Sequence, residues 1–215
     1  MRILYIGNKL SQYGYSPSGV ETLGEKLTEF TDVRSISNKK NILFRIIDMV
    51  FSMIKNIGNY ELVLIDTFSG KAFWYAIICS FLTIVLNKKY ILILRGGDLP
   101  KSIRKKRTLA TYILNHSFYN IVPSLYLNNH LNSFNIKTQY IPNFIEIQKY
   151  RFKKREFCRP FLFWVRSFHK IYNPQMAILV LIELQKSYPA AKLCMVGPDK
   201  DGSLSDCRKL VEELG

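Results

Sequence analysis

Acidic residues are scarce in this chain: 16 Asp and Glu stand against 31 Lys and Arg, a formal net charge of +15 over 215 residues. Such an imbalance favours anionic partners, whether nucleic acid, acidic lipid headgroups or phosphorylated substrates, without choosing among them. Cysteine and histidine are also sparse, with four and three copies. No Cys-x-x-Cys pair occurs, and no His stands at metal-ligand spacing from Cys79, Cys158, Cys194 or Cys207. That argues against a disulfide framework or a zinc site, and makes a reducing, cytosolic setting the default. Cys79 and Cys194 lie in apolar runs and read as small core residues. His116 and His130 are isolated and receive no ligand role.

Several signatures are missing as well. There is no G-x-G-x-x-G dinucleotide fingerprint and no Gly-Lys-Ser/Thr of a nucleoside-triphosphate loop. RNA-recognition aromatics, helix-turn-helix spacing, internal repeats and low-complexity tracts are absent too. The opening Met1-Arg-Ile-Leu-Tyr-Ile6 runs straight into a Gly-containing turn, so no secretory leader is expected. The one membrane candidate, the apolar run Ala72–Leu86, has fifteen residues without a charge, short of the roughly 20 that span a bilayer. It reads as a buried crossover helix, with Lys71, Lys88 and Lys89 leaving membrane contact as the alternative.

What is present is an alternation. Short apolar strands are expected at 2–6, 33–36, 61–66, 90–94, 118–122, 138–141, 161–165 and 192–196, with helices between them. The helices fall near 20–30, 41–57, 70–86, 101–116, 174–187 and 203–214. In the second of these, Leu43, Ile46, Ile47, Val50 and Ile54 share one face. Strand–helix alternation predicts doubly wound, parallel α/β sheets, their strands covered on both faces. From Gln148 to Pro160 the composition turns polar and basic, including Lys149, Arg151, Lys153, Lys154, Arg155 and Arg159. A linker there separates an amino-terminal domain (1–147) from a second, incomplete one (161–215).

Ligands of open α/β sheets bind outside the carboxyl ends of the strands, and three such ends carry chemistry. After the first strand, a Gly-, Ser- and Asn-containing loop ends at Ser18-Gly19 and opens a helix, pointing backbone N–H groups at a strand end; a plain tight turn is the alternative. After the fourth comes Arg95-Gly96-Gly97-Asp98. The glycines let backbone approach a ligand, Arg95 could hold an anion and Asp98 could accept from sugar hydroxyls; otherwise this is a turn with a helix-capping Asp. Past the strand at 161–165 stand Arg166 and Lys170, two cations able to grip a diphosphate or simply solvated. The cation run Lys101–Arg107 is either a solvated helix face or a site for anionic lipid.

The run Trp164-Val-Arg-Ser-Phe-His-Lys170, with Asn173-Pro174, Tyr188-Pro189 and Met195-Val-Gly-Pro-Asp-Lys-Asp-Gly-Ser203, resembles the start of the donor-binding domain of family 4 glycosyltransferases. The resemblance implies the GT-B architecture of retaining enzymes, two Rossmann-like domains, the second incomplete here. It implies donor binding by Arg166, Lys170 and Gly19. Sugar or acceptor contacts fall to Ser18, Gly96, Gly97, Asp98 and Asn143, and a catalytic role to Arg95. The family usually has a His where Arg95 stands, and Pro142-Asn143-Phe144-Ile145-Glu146 resembles its interdomain Pro-Asn-Gly-Val-Asp pattern with Phe144 and Glu146 as departures.

By the same resemblance no metal or cofactor is needed beyond a nucleotide-diphosphate sugar as donor substrate. The acceptor is a lipid-linked glycan or cell-surface polysaccharide at the cytoplasmic, inner face of the plasma membrane, with peripheral contact to anionic lipid and no specific nucleic acid. The glutamate pair that completes the family's donor site has no counterpart before Gly215. The expectation is therefore a truncated enzyme, inactive alone, whose missing carboxy-terminal half is a partner. A non-catalytic basic module for anionic lipid or nucleic acid is the competing reading.

Overall fold

The computed structural model describes residues 1–154, 156–157 and 159–214; Arg155 and Cys158, both assigned to the linker, lie outside the described residues, as does Gly215. The chain divides into two compact units, Met1–Ile145 and Glu146–Gly215.

The first unit runs β1 (Arg2–Ile6), α1 (Gly19–Leu27), β2 (Asp32–Ile36), α2 (Ile42–Lys55), β3 (Leu62–Thr67), α3 (Phe73–Val85) and β4 (Lys89–Leu94). It continues through α4 (Leu99–Lys105), α5 (Arg107–His116), β5 (Tyr119–Val122), α6 (Leu125–Asn132) and β6 (Gln139–Tyr140). All six strands pair in parallel in the order β2-β1-β3-β4-β5-β6. This is the expected Rossmann-like α/β sheet. Its strand order reverses between β1 and β3, the point at which such sheets open a crevice for ligands.

Side-chain alternation sorts the strand residues into two cores. Leu4, Ile6, Val63, Ile65, Leu92 and Leu94 pack on one face beneath α2, α3, α4, α5 and α6. Ile3, Tyr5, Leu64 and Ile93 point the other way and meet Val20 of α1. Both faces of the central strands are buried, which is why they read as continuous apolar runs. The crossover helix α3 buries Phe73, Tyr75, Ala76, Ile77 and Cys79. Among the described residues no helix is long and apolar enough to cross a membrane.

Three expectations need correcting. In α2 the core side is Arg45, Met49 and Met53, while Leu43, Ile47 and Ile54 are exposed. The helix is apolar on both sides, and periodicity alone could not say which side faced in. The helix expected over 101–116 is broken at Lys106, which leaves helical geometry (φ −125°, ψ 41°) between α4 and α5. Asp98 precedes α4 but makes no side-chain cap hydrogen bond, so the capping alternative for this residue does not hold.

The second unit contains β7 (Phe161–Val165), α7 (Pro174–Gln185), β8 (Lys192–Val196) and α8 (Ser203–Leu214). The strands pair in parallel from Phe161↔Lys192 to Val165↔Val196. Asn173 enters α7 in the left-handed region (φ 47°) and Pro174 takes the first helical turn, places that suit Asn and Pro. Trp164, Leu193 and Met195 pack with Phe168, Ile178 and Cys207. Phe161, Phe163 and Val165 point to the other face and are exposed. The expectation of cover on both faces therefore fails here: α7 and α8 lie over one face only. Cys194, paired in register with Phe163, is half-buried on the open side and is not a core residue.

Pairing continues past the strand ends, where Arg166 N–H donates to Val196 O (3.0 Å) and Phe168 N–H to Pro198 O (2.8 Å). Gly197 permits this approach, since a Cβ built there would collide with the Arg166 carbonyl. Gly197→Ala is expected to cost the second unit about 1–3 kcal/mol. Urea unfolding followed by Trp164 emission, in a Trp74→Phe background, measures it; an unchanged midpoint would show that the backbones do not approach as described.

Candidate functional site

Tyr5 of β1, Asp66 of β3 and Arg95 at the exit of β4 converge at the carboxyl ends of the central strands. The Asp66 side chain has no exposure, and its Oδ1 accepts from Arg95 Nε (2.9 Å) and from the Tyr5 hydroxyl (3.0 Å). The Tyr75 hydroxyl of α3 donates to the Asp66 carbonyl (2.6 Å). Burial pushes the Asp66 carboxyl above the usual carboxylate range, opposed by Arg95 and Tyr5 and by the Val20 N–H at the start of α1. Burial also works against the Arg95 cation, but Asp66 and Tyr5 together outweigh it and raise the guanidinium above its ordinary value. A buried carboxylate is tolerated only when so paired.

Arg95 in turn fixes two loops. Its Nη1 donates to Asn143 Oδ1 (2.9 Å) and its backbone N–H to Thr67 O (2.8 Å). Gly19 lies flat against the guanidinium, and a Cβ built there would stand 2.6 Å from Arg95 Cζ. The glycine thus serves contact with Arg95.

Ser18 directs its hydroxyl to Asn8 O (2.7 Å) and its N–H to Glu21 Oε2 (3.0 Å), while Glu21 Oε1 accepts from the Ser11 hydroxyl (2.5 Å). Burial disfavours this carboxylate, yet the bonds from Ser11 and Ser18 win and hold Glu21 below the usual range. The β1–α1 loop is therefore a braced turn. Gly19, Arg95 and Asn143, each singled out in the sequence, are brought together with Ser18 at their edge. Gly96, Gly97 and Asp98 stand exposed in the next turn, Gly96 with φ 97°.

Asp66, Tyr5 and Arg45 escaped the sequence reading. The signal for Asp66 was an acid closing an otherwise apolar strand, and for Arg45 a cation inside ILFRIIDMVF. Arg45 is buried with Nε and Nη1 lacking hydrogen-bond partners, and burial lowers its pKa.

In the second unit the exit of β7 presents cations in another way. Arg166 is exposed, with its Cζ 4.2 Å from the Tyr172 ring centroid, a stacking that leaves the guanidinium edges free to donate. Beside it lies a hollow of about 400 Å³ lined by Val165–Ser167, Tyr172 and Val196–Pro198. Lys170 is exposed, and its backbone N–H donates to Asp201 Oδ2 (2.9 Å). Neither cation has an ion-pair partner among the described residues. His169 Nδ1 accepts from Ile171 N–H (3.1 Å), which holds the turn in front of Lys170.

Asp199 and Asp201 shape the facing loop. Asp199 Oδ1 accepts from Gly202 N–H (3.0 Å), and Asp201 Oδ1 from the Ser203 hydroxyl (2.5 Å). Hydrogen bonds from Ser203, then Lys170, hold the Asp201 carboxyl down at about 2.

No protein-family model matches the chain, and no curated protein matches it. Solved structures do. A Listeria monocytogenes protein assigned as a UDP-N-acetylglucosamine 2-epimerase aligns with a TM-score of 0.56 at 10% identity, over 97% of this chain and 65% of its own. The UDP-GlcNAc 2-epimerase of Methanocaldococcus jannaschii aligns with a TM-score of 0.56 at 12% identity, over 99% of this chain and 70% of its own. The chain thus spans about two thirds of the length of these neighbours. At such identities the likeness establishes the fold alone, a Rossmann-like α/β architecture of GT-B type.

Two predictions follow from the geometry. Asp66→Ala, which strands Arg95 and the Tyr5 hydroxyl in a buried site, should destabilise the first unit by about 3–5 kcal/mol. The Asp66→Asn/Arg95→Met double variant should lose markedly less than the sum of its singles in denaturant titration; additivity would mean the pair is not coupled. The Asp201 carboxyl carbon should titrate by NMR near 2. Because a depressed acid stabilises the fold above its unfolded value, that contribution should fade only as pH falls from about 4 towards 2. A midpoint at the ordinary carboxylate value would show the Ser203 and Lys170 bonds are not formed in solution.

Proposed function

We propose that the chain is part of a nucleotide-sugar enzyme: a retaining glycosyltransferase that moves a hexose from a nucleotide-diphosphate donor to a lipid-linked or cell-surface glycan. The observation that carries this reading is the β7 exit, where Arg166 lines an open hollow and neither it nor the exposed Lys170 has an ion-pair partner among the described residues. Both neighbours in fold are described as acting on UDP-GlcNAc. Arg166 is the group to fork onto diphosphate oxygens and Lys170 the second point charge, so that negative charge growing on the leaving diphosphate is neutralised. In the first unit Arg95, immobilised by Asp66 and Asn143, is a fixed cation at the strand ends that can face a sugar or phosphate oxygen. Asp66, without exposure, is a positioning residue for Arg95.

In this reading the protein works at the inner face of the plasma membrane, in peripheral contact with anionic lipid. A second reading, epimerisation of the sugar nucleotide itself, is favoured by what the two fold neighbours are described as doing. Incubation with UDP-sugars separates them, since transfer releases UDP and consumes an acceptor whereas epimerisation leaves the nucleotide sugar intact.

The direct test is UDP binding by calorimetry. Arg166→Ala and Lys170→Ala should each weaken it about tenfold or more, the loss of a charge-assisted hydrogen bond. Affinity for UDP that is unaffected by either substitution would remove the diphosphate assignment.

A further inference from the structure

An amphipathic helix on a sheet normally turns its apolar stripe inward. α2 keeps a second stripe outside: Leu43 (67% exposed), Phe44 (65%), Ile47 (62%), Phe51 (61%) and Ile54 (53%). Leu43, Ile47, Phe51 and Ile54 follow at steps of four, four and three residues, so they form one line along a 14-residue helix. That line is about 17 Å long. Contiguous exposed apolar surface of this kind marks an interaction site.

Its rim is cationic. Lys39 and Lys40 stand at the start of α2 and Lys55 at its end, with Lys40 Nζ 5.8 Å from the Tyr13 ring centroid and Lys55 Nζ 5.9 Å from that of Phe51. Between the first two lysines and the stripe lies a hollow of about 440 Å³ walled by Tyr13, Phe44, Ile47 and Phe51. The acid on this hollow, Asp48, already accepts from the Ser37 hydroxyl. The surface continues sideways, because α3 packs beside both α2 and α5. There Trp74 and Val85 face outward, and Lys106 Nζ lies 4.1 Å from the Trp74 ring centroid.

We propose that the outer face of α2, with the Lys39–Lys40 hollow at its head, is a docking surface for an anionic lipid bilayer. The phosphates of acidic lipids meet Lys39, Lys40 and Lys55, while Leu43, Ile47, Phe51 and Ile54 enter the headgroup–acyl boundary and Trp74 with Lys106 settles at the interface. Charge decides among the occupants. A second copy laid antiparallel on α2 would set Lys39 and Lys40 against Lys55, and one laid parallel would set each against itself. Nucleic acid would satisfy the lysines and leave the stripe in water. An acidic bilayer satisfies both.

This surface deepens the peripheral-membrane part of the proposed function and is independent of the sugar chemistry. The test is co-sedimentation of the full chain with vesicles of phosphatidylglycerol and phosphatidylcholine in roughly a 3:7 ratio, with far-UV circular dichroism confirming that each variant folds. The chain should bind these vesicles and ignore pure phosphatidylcholine. Ile47→Ser/Phe51→Ser, which leaves charge unchanged, should lose about tenfold or more, with its residual binding abolished by high salt. Lys39→Gln/Lys40→Gln should lose about tenfold.

Wild-type chain that stays in the supernatant would overturn both the surface and the peripheral reading. Equal binding by the Ile47/Phe51 variant would overturn the α2 surface and leave membrane contact elsewhere. A dimer in sedimentation velocity that the same variant turns into a monomer would assign the face to a second copy and overturn the bilayer. UDP binding in the same samples keeps the outcomes separable: its loss would remove the transfer reading and leave vesicle docking standing.

Discussion

A carboxylate with no exposure, Asp66, is held between the Arg95 guanidinium and the Tyr5 hydroxyl, and the working end of the first unit is assembled around it. Removing such a charge from water costs several kcal/mol unless its partners are fixed in advance. They are fixed by the sheet: Tyr5 and Asp66 stand on the neighbouring strands β1 and β3, and Arg95 donates its backbone N–H to the Thr67 carbonyl of β3. In return the pair fixes what hangs above it. Arg95 holds Asn143 and fills the space under Gly19, so the β1–α1 loop, the β4 exit and the segment after β6 are tied to one point.

The second unit uses its charges in the opposite way. Its acids hold backbone: Asp199 and Asp201 accept N–H groups of their own turn, and Asp201 reaches back to the Lys170 N–H. Among the described residues no carboxylate pairs with Arg166 or the Lys170 ammonium, and both cations stand exposed at the strand exit. Gly197 shapes that exit, since only a bare Cα lets the two backbones run together past β7 and β8. A cation that is oriented but unpaired is what anion recognition asks for; Arg95, oriented and paired, is better suited to hold loops and present a residual field.

Strands and crossover order were legible in the sequence because burial on both faces leaves unbroken apolar runs, as in LVLIDT and KYILIL. The direction of α2 was not. ILFRIIDMVFSMIK has apolar residues all round, and the fold turned Arg45, Met49 and Met53 inward, a choice set by tertiary contacts with α3 and the sheet. The candidate site was half legible for the same reason. Gly19, Arg95 and Asn143 announce themselves as residue types at strand ends and loops, whereas the Arg95–Asp66 pair spans 29 residues of chain and Tyr5–Asp66 spans 61. No local pattern carries a contact of that range. Gly197 could be quoted from the sequence, yet the reason for it is the Arg166 carbonyl 31 positions away.

The net charge of +15 has a similar resolution. Among the described residues the ion pairs of Lys and Arg are Arg2–Glu61, Lys26–Glu29, Arg95–Asp66, Lys149–Glu146 and Lys186–Glu183, and only Asp66 in this set is fully buried. Exposed pairs of this kind contribute little to stability, so the fold draws on one such pair and, the buried Arg45 aside, leaves most other cations for its surface. Several of them sit against aromatic rings: Lys40 on Tyr13, Lys55 on Phe51, Lys88 on Tyr60, Lys106 on Trp74, Arg166 on Tyr172. A ring face restrains the stem of a Lys or Arg without neutralising it. The chain thereby keeps positive charge aimed outward at fixed places, at a strand exit in one unit and along the margin of an apolar helix in the other.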